Sequence, residues 1–218
     1  ARIIAIANHK GGVGKTTTTI NLATALAAVG KRVLVLDLDP QGNASTGLGV
    51  EQSERQINAY HVMIGEAPFA AAILDTQVPG LSVVSSGVDL SGAEIELIEV
   101  ENRLFRLKSA LLGDAGNYDY IFIDCPPALG LLTVNALNAA HAVLVPLQCE
   151  FFALEGLSHL VRTIERIKTS YNPGLEIQGI VLTMFDSRNN LSDAVAADVR
   201  DFFGAIVYDT VIPRNVRV

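Results

Sequence analysis

Nine residues, His9 to Thr17 with the sequence HKGGVGKTT, constrain this chain more than any others. They follow the apolar run Ile3-Ile4-Ala5-Ile6-Ala7 and open a helical stretch from Thr16 to Val29. Strand, glycine-rich loop and helix in that order make a phosphate-binding loop. Gly11, Gly12 and Gly14 lack Cβ, so the backbone can take unusual φ and bring its N–H groups against a polyanion. The following helix points its positive end at the same place. Lys15 supplies a point charge for the β- and γ-phosphates, and Thr16 a hydroxyl for Mg²⁺. The strict pattern asks for glycine at position 9, where this chain has His9. A second lysine, Lys10, stands at the front of the loop.

Half of the 218 residues are hydrophobic, and mean hydropathy is +0.35. The apolar residues come as short runs, at 32–38, 120–123, 142–147 and 180–182, as in strands buried on both faces of a parallel sheet. Helical stretches separate them, so an α/β fold with a mostly parallel sheet and helices on both faces is expected, as one domain spanning 1–218. No run approaches the ~20 apolar residues of a membrane span, and there is no signal-peptide pattern. Cys125 and Cys149 do not form a metal spacing, which suits reduced thiols in a cytoplasmic protein. Net charge is −7, so nucleic-acid binding would need a local basic patch.

Three acids fall at the C-terminal ends of strands, where α/β sheets place their sites. Asp37 and Asp39 begin Asp37-Leu38-Asp39-Pro40-Gln41-Gly42-Asn43, and Asp124 ends Tyr120-Ile121-Phe122-Ile123. Asp37 and Asp39 either cap a turn or serve Mg²⁺-bound waters and the attacking water. Asp124 is placed as a Walker B carboxylate that holds the metal, usually through water. Cys125-Pro126-Pro127-Ala128-Leu129-Gly130 makes a stiff turn with a hinge at its end. Short helices are expected over 57–64 and 68–74. A capping box at Ser91 predicts a long helix to about Leu112, with Ile95, Ile98, Leu104 and Leu111 inward. Another helix runs to about Tyr171, and the last strand covers 205–208. His61, His141 and His159 have no matching partner and read as structural. Arg188, Arg214 and Arg217 lie in loops, either as ordinary loop arginines or as phosphate contacts.

KGGVGKTT resembles the deviant Walker A signature of the ParA/MinD group of P-loop ATPases. With DLDPQGNASTGLG, IDCPP, QCEFFALEGL and VIPRNVR, the likeness covers Ile3 to Arg217 and is closest to the ParA/Soj branch. It implies ATP bound by Lys10, Gly11, Gly12, Val13, Gly14, Lys15, Thr16 and Thr17, with Pro213 and Asn215 at the adenine. It implies Mg²⁺ at Thr16, with Asp37 and Asp124 acting through water, and catalysis by Lys10, Lys15 and Asp39. Lys10 would reach across an ATP-dependent homodimer to the partner's nucleotide. Arg188, Arg214 and Arg217 would meet the phosphates of non-specific double-stranded DNA. A ParB-type centromere-binding protein would stimulate hydrolysis, and the ATP-bound chain would sit on the nucleoid, with no membrane role. Family members continue past Val218, so the C-terminal end of the fold is expected to be missing here. His9 stands where glutamine is usual, with little consequence expected. Cys125, directly after Asp124, does not match the cluster ligands of the related nitrogenase iron protein. Two alternatives remain at this stage. A MinD-like or cargo-positioning ATPase acting on a membrane or protein cluster would call for a C-terminal amphipathic helix in the MinD case. A metabolic P-loop enzyme would call for a substrate pocket or cluster cysteines.

Overall fold

The computed structural model describes residues 1–215, and eight strands form one sheet among them. They are β1 (Arg2–Ile6), β2 (Val33–Asp37), β3 (Ile73–Asp75), β4 (Leu81–Val84), β5 (Tyr120–Asp124), β6 (Ala142–Gln148), β7 (Glu176–Phe185) and β8 (Val207–Pro213). Their order is β3-β4-β2-β5-β1-β6-β7-β8. Every pair is parallel except the edge pair β3–β4. The helices are α1 (Lys15–Ala28), α2 (Asn43–Gly47), α3 (Ala59–Ile64), α4 (Leu90–Glu96), α5 (Arg106–Ala110), α6 (Leu131–Ala139), α7 (Ala153–Ser170) and α8 (Asn190–Phe203).

The continuous apolar runs are explained by two cores, one on each face. Successive strand residues point to opposite faces. Ile4, Ile6, Val33, Val35 and Phe122 pack under α1 and α2. Ile3, Ala5, Leu34, Leu36, Ile121 and Ile123 pack against the helices from α3 to α8. Helix α1 lies close to the sheet because it buries only Lys15, Thr19, Ala23 and Ala27, four residues apart on one stripe.

Strand β1 lies between β5 and β6, and the chain builds outward from it on both sides. That makes its C-terminal end the topological switch point, where a doubly wound sheet opens a crevice for ligand. Asp37 and Asp124 are register partners at the ends of β2 and β5, and Ile6 is level with Asp124. Asp37 shares parity with Val33 and Val35, and Asp124 with Phe122. Both carboxylates therefore face α1.

Three local expectations are corrected. The long helix from Ser91 to Leu112 is broken: α4 ends at Glu96, Asn102 takes a left-handed φ of 59°, and α5 begins at Arg106. Ile95 and Ile98 are 73% and 56% exposed, so half of the supposed inward stripe has nothing to pack against. Buried amides hold the irregular stretch instead. Asn135 donates to the Arg103 carbonyl at 2.9 Å, and Asn138 to the Leu104 carbonyl at 2.7 Å. The Ser91 capping box is not used either; the Asp89 carboxylate caps α4 through the Leu90 N–H. Residues 68–74 form a short 3₁₀ turn, Phe69–Ala72, and then enter β3. Finally, β8 runs to Pro213 and pairs with β7.

Candidate nucleotide site

The loop after β1 is shaped by two glycines in the left-handed region, Gly12 (φ 74°) and Gly14 (φ 89°). Gly14 precedes the first turn of α1 and accepts the Thr18 N–H at 2.9 Å. A Cβ on Gly11 or Gly12 would meet nothing within 4 Å, so that side of the loop is open for a bulky anion. The closed side is pinned from two strands. Buried Asn8 donates to the Pro146 carbonyl at 2.8 Å and accepts the Lys10 N–H at 3.1 Å. The Thr183 hydroxyl on β7 donates to the Val13 carbonyl at 2.8 Å.

Lys15 is 7% exposed, and its ammonium donates to the Lys10 carbonyl at 2.9 Å, spanning the mouth of the loop. Burial lowers its pKa, while the nearby Asp124 carboxylate acts in the opposite direction. Asp124 accepts the Thr16 hydroxyl at 2.7 Å and the Thr19 hydroxyl at 3.1 Å. Asp37 is completely buried. It accepts the Asp39 N–H at 3.1 Å on one oxygen, and the Ser45 N–H and hydroxyl at 2.8 and 2.7 Å on the other. Burial, opposed by the Ser45 hydrogen bonds, pushes Asp37 up to about 6. Burial and the Asp37 charge push Asp124 up to about 7. Cys125 is pushed up by burial and is inert as a thiolate.

Two acids side by side at the floor of a phosphate loop, each short of counter-charge, fit a divalent cation. Among the described residues no group of three or more His, Cys, Asp or Glu side chains forms a metal cage. The Thr16 hydroxyl beside the paired acids suits Mg²⁺, which keeps waters and phosphate oxygens as ligands and needs only one or two protein groups.

The raised values have a testable consequence. A folded pKa above the unfolded 3.8 means the native state binds more protons between about pH 4 and pH 7. Stability from these groups is therefore present at low pH and is lost as pH rises through that window. In metal-free, nucleotide-free protein at pH 7.5, Asp124→Asn is expected to stabilise by about 2 kcal/mol. Its melting temperature should rise by roughly 4–8 °C, and the gain should shrink as pH falls and vanish only below about pH 4. A lower or unchanged melting temperature at pH 7.5 would contradict this.

Asp39 sits two residues beyond Asp37, half-buried, at the start of a turn. Its Oδ1 accepts the Gln41 N–H at 3.0 Å, and its carbonyl accepts the Gly42 N–H at 2.9 Å. Among the described residues no donor reaches its second carboxylate oxygen.

Lys10 and Thr17 are exposed on the rim. The Lys10 ammonium is paired with the Glu150 carboxylate of the same chain. Beside it a cavity of about 180 Å³ is lined by His9, Lys10, Glu150, Phe152, Gly156 and His159. His9 crosses Gly156 so closely that a Cβ there would lie 2.6 Å from its ring. Phe151 and Phe152 are 77% and 67% exposed.

The remaining site residues lie at the far edge. Pro213 is level with Phe185 at the end of β7, two residues past Thr183, and Asn215 follows it. The Arg214 N–H donates to the Phe185 carbonyl at 3.0 Å. Arg188 makes a two-point ion pair with Asp186 at 3.0 Å on both arms, which holds Asp186 at about 2. Arg217 lies outside the described residues.

Thr19, Ser45, Thr183 and Glu150 were not found by sequence reasoning. Thr19 had a signal, three residues after Thr16 on the same helix face. The others touch the site across 8 to 170 residues of chain.

Loop, buried lysine and paired acids at a switch point define an ATPase of the P-loop class, working with ATP and Mg²⁺. A family profile described as an AAA domain matches residues 1–177. The chain is 62% identical to the chromosome partitioning protein ParA of Caulobacter vibrioides, over all of this chain and 82% of that one. It is 51% identical to the sporulation initiation inhibitor protein Soj of Bacillus subtilis, over all of this chain and 86% of that one. A Mycobacterium smegmatis structure described as cobyrinic acid a,c-diamide synthase, with ATP analogue and magnesium bound, is 41% identical. It superposes with a TM-score of 0.93 over 99% of this chain and 88% of that one. The chain belongs to the ParA/Soj family of chromosome-partitioning ATPases.

Proposed function

We propose that the chain is a nucleotide-driven dimerisation switch that binds DNA without sequence preference and is reset by hydrolysis. The carrying observation is the position of Lys10. Lys15 already supplies the buried cation of the loop's own cradle, whereas Lys10 stands on the rim beside two exposed phenylalanines. A second copy closing face to face would receive Lys10 at its phosphates and cover Phe151 and Phe152, each contributing about 2 kcal/mol. Nucleotide phosphates outbid a single half-exposed carboxylate for the lysine, because they carry more charge in a closed, drier interface.

Thr16 would hold Mg²⁺ directly, and Asp124 and Asp37 through water; the ion supplies charge neutralisation for the phosphates. Gly11 to Thr17 bind the triphosphate, and Pro213 and Asn215 take the adenine. Asp39 places the water that attacks the γ-phosphate. Loss of that phosphate removes the contacts that hold the dimer. A ParB-type partner at a centromere-like site would speed this step. The ATP-bound form would be found on the nucleoid. We take residues 1–218 as one P-loop domain.

The DNA surface is assigned to Arg188, Arg214 and Arg217. In one copy Asp186 already neutralises Arg188, so single-copy attraction for a phosphate is weak. Two such patches fixed in one rigid dimer gain by effective concentration. Co-sedimentation with duplex DNA should therefore require ATP, fail with ADP or no nucleotide, and weaken steeply with salt. Arg188→Glu with Arg214→Glu should abolish it while leaving ATP binding intact. DNA retention independent of nucleotide would contradict the switch.

A small-molecule synthase is the second reading, favoured by the name of the M. smegmatis structure. It predicts turnover that depends on an added acid substrate and no DNA binding in any arm. For a membrane role, no helix among the described residues is long and apolar enough to cross a bilayer. Liposome co-sedimentation with ATP covers the surface-bound case.

A further inference from the structure

Arg55 lies outside the phosphate loop, both acid-bearing strands and every segment used above. It is 8% exposed. Among the described residues no carboxylate pairs with it. A buried guanidinium without an anion is costly unless its donors are all used. Here all five are. Nε donates to the Val50 carbonyl at 3.3 Å. One terminal nitrogen donates to the Gly42 carbonyl at 3.4 Å and the Ser86 carbonyl at 3.1 Å. The other donates to the Thr46 hydroxyl and the Val50 carbonyl, both at 2.8 Å.

Those acceptors lie on two stretches far apart in sequence: 42–50, from the end of the Asp39 turn through α2 to Val50, and the residue pair after β4. Gly42 closes the turn with a φ of 63°. A Cβ there would lie 2.4 Å from the guanidinium and 3.0 Å from the Ser86 carbonyl oxygen. The start of the same turn is reached by a second route. The Ser86 N–H donates to the Ser45 hydroxyl at 3.0 Å, Ser45 donates to Asp37, and Asp37 accepts the Asp39 N–H. Ser86 thus bonds Arg55 through its carbonyl and the Asp37 relay through its amide. Both ends of the 37–42 turn are tied to one fork.

We infer that Arg55 is a positioning residue for hydrolysis, its five-donor fork clamping Gly42, Ser86, Thr46 and Val50 so that the Asp39 carboxylate is held at the γ-phosphate end of the site. This rests on the role proposed above for Asp39. The planar fork is the reason for arginine. Lysine keeps the charge but has three donors on one atom and cannot span four acceptors spread over both stretches. Displacement of a positioned group by about 1 Å costs on the order of 10²-fold in rate. Among the described residues no hydrogen bond joins Arg55 to the phosphate loop, so loss of the clamp should fall on hydrolysis far more than on nucleotide affinity.

The test uses the full chain with Mg²⁺. Fluorescent ATP measures binding, radiolabelled ATP measures single-turnover hydrolysis, and melting is followed in parallel. Arg55→Lys should bind ATP within about 3-fold of the parent and slow the hydrolytic step by at least about 10-fold. Thr46→Val, which removes one acceptor at nearly constant volume, should slow it by a smaller factor and lower melting less than Arg55→Lys does. In an Asp39→Ala background, Arg55→Lys should slow hydrolysis no further, because both act on one step. A slowing that only follows lost affinity or lost folded protein would overturn the inference and leave Arg55 a structural residue. Parental hydrolysis by Arg55→Lys beside a slow Asp39→Ala would overturn this inference alone. Parental hydrolysis by Asp39→Ala would remove the reading beneath it as well. Should Arg55→Lys not fold, Thr46→Val decides, with Ser86→Ala, which keeps both backbone bonds, as the control: parental rates in the first, or an equal loss in the control, would overturn the clamp.

Discussion

Asp39→Ala is expected to lower ATP hydrolysis by about 10²- to 10³-fold while leaving nucleotide affinity within about 3-fold. The two properties separate because they rest on different parts of the chain. Affinity comes from the left-handed glycines, the α1 N-terminus and Lys15, in a loop that Asn8 and Thr183 pin at Lys10 and Val13 with no hydrogen bond from the Asp39 side chain. Hydrolysis needs a carboxylate held at the phosphate end, and Asp39 retains one oxygen that no donor reaches among the described residues. The turn beneath it is fixed by Asp37 and closed at Gly42, so alanine at 39 removes the carboxylate and leaves the N–H to Asp37 in place. The variant should therefore accumulate in its ATP-bound form. Single-turnover hydrolysis within 3-fold of the parent would exclude Asp39 from the chemistry.

Lys10→Ala is expected to lose ATP-dependent association by at least about 30-fold, with little effect on the affinity of a single copy for ATP. Truncating one partner of a desolvated charge pair costs about 2–5 kcal/mol. In the isolated chain the Lys10 ammonium pairs, among the described residues, with Glu150 at a half-exposed site, where such a pair contributes little. Nearly all of the loss should thus appear on association and very little on folding. Analytical ultracentrifugation of the variant with a non-hydrolysable ATP analogue reads the effect directly. Association as strong as the parent's would show that the rim lysine is not what bridges two copies.

Much of the fold was legible because burial on both faces leaves unbroken apolar runs, and these appear where Val33–Leu36, Tyr120–Ile123 and Ala142–Leu147 lie in the sheet. The loop was legible because glycine spacing and the lysine–threonine pair serve one chemistry. Asp37 and Asp124 were legible as strand-end acids, and their register pairing follows from the parallel alignment of β2 with β5. The region from Ser91 to Leu112 was misread because periodicity records where apolar residues fall and is blind to what covers them. Ile95 and Ile98 keep the helical spacing yet face solvent, while Asn135 and Asn138 hold the broken segment from another helix. Arg188 read as a loop cation, although its partner Asp186 stands two residues away in the sequence and forms the ion pair locally. Glu150 and Arg55 gave no sequence signal, since one acts across 140 residues and the other through backbone carbonyls of any residue type.

The most direct test of the switch is the solution mass of the Asp39→Ala chain by light scattering, measured with ATP·Mg²⁺, with ADP·Mg²⁺ and without nucleotide. Two chains per particle with ATP and one in both other arms is the predicted result. A single chain in all three arms at micromolar protein and saturating ATP would contradict it.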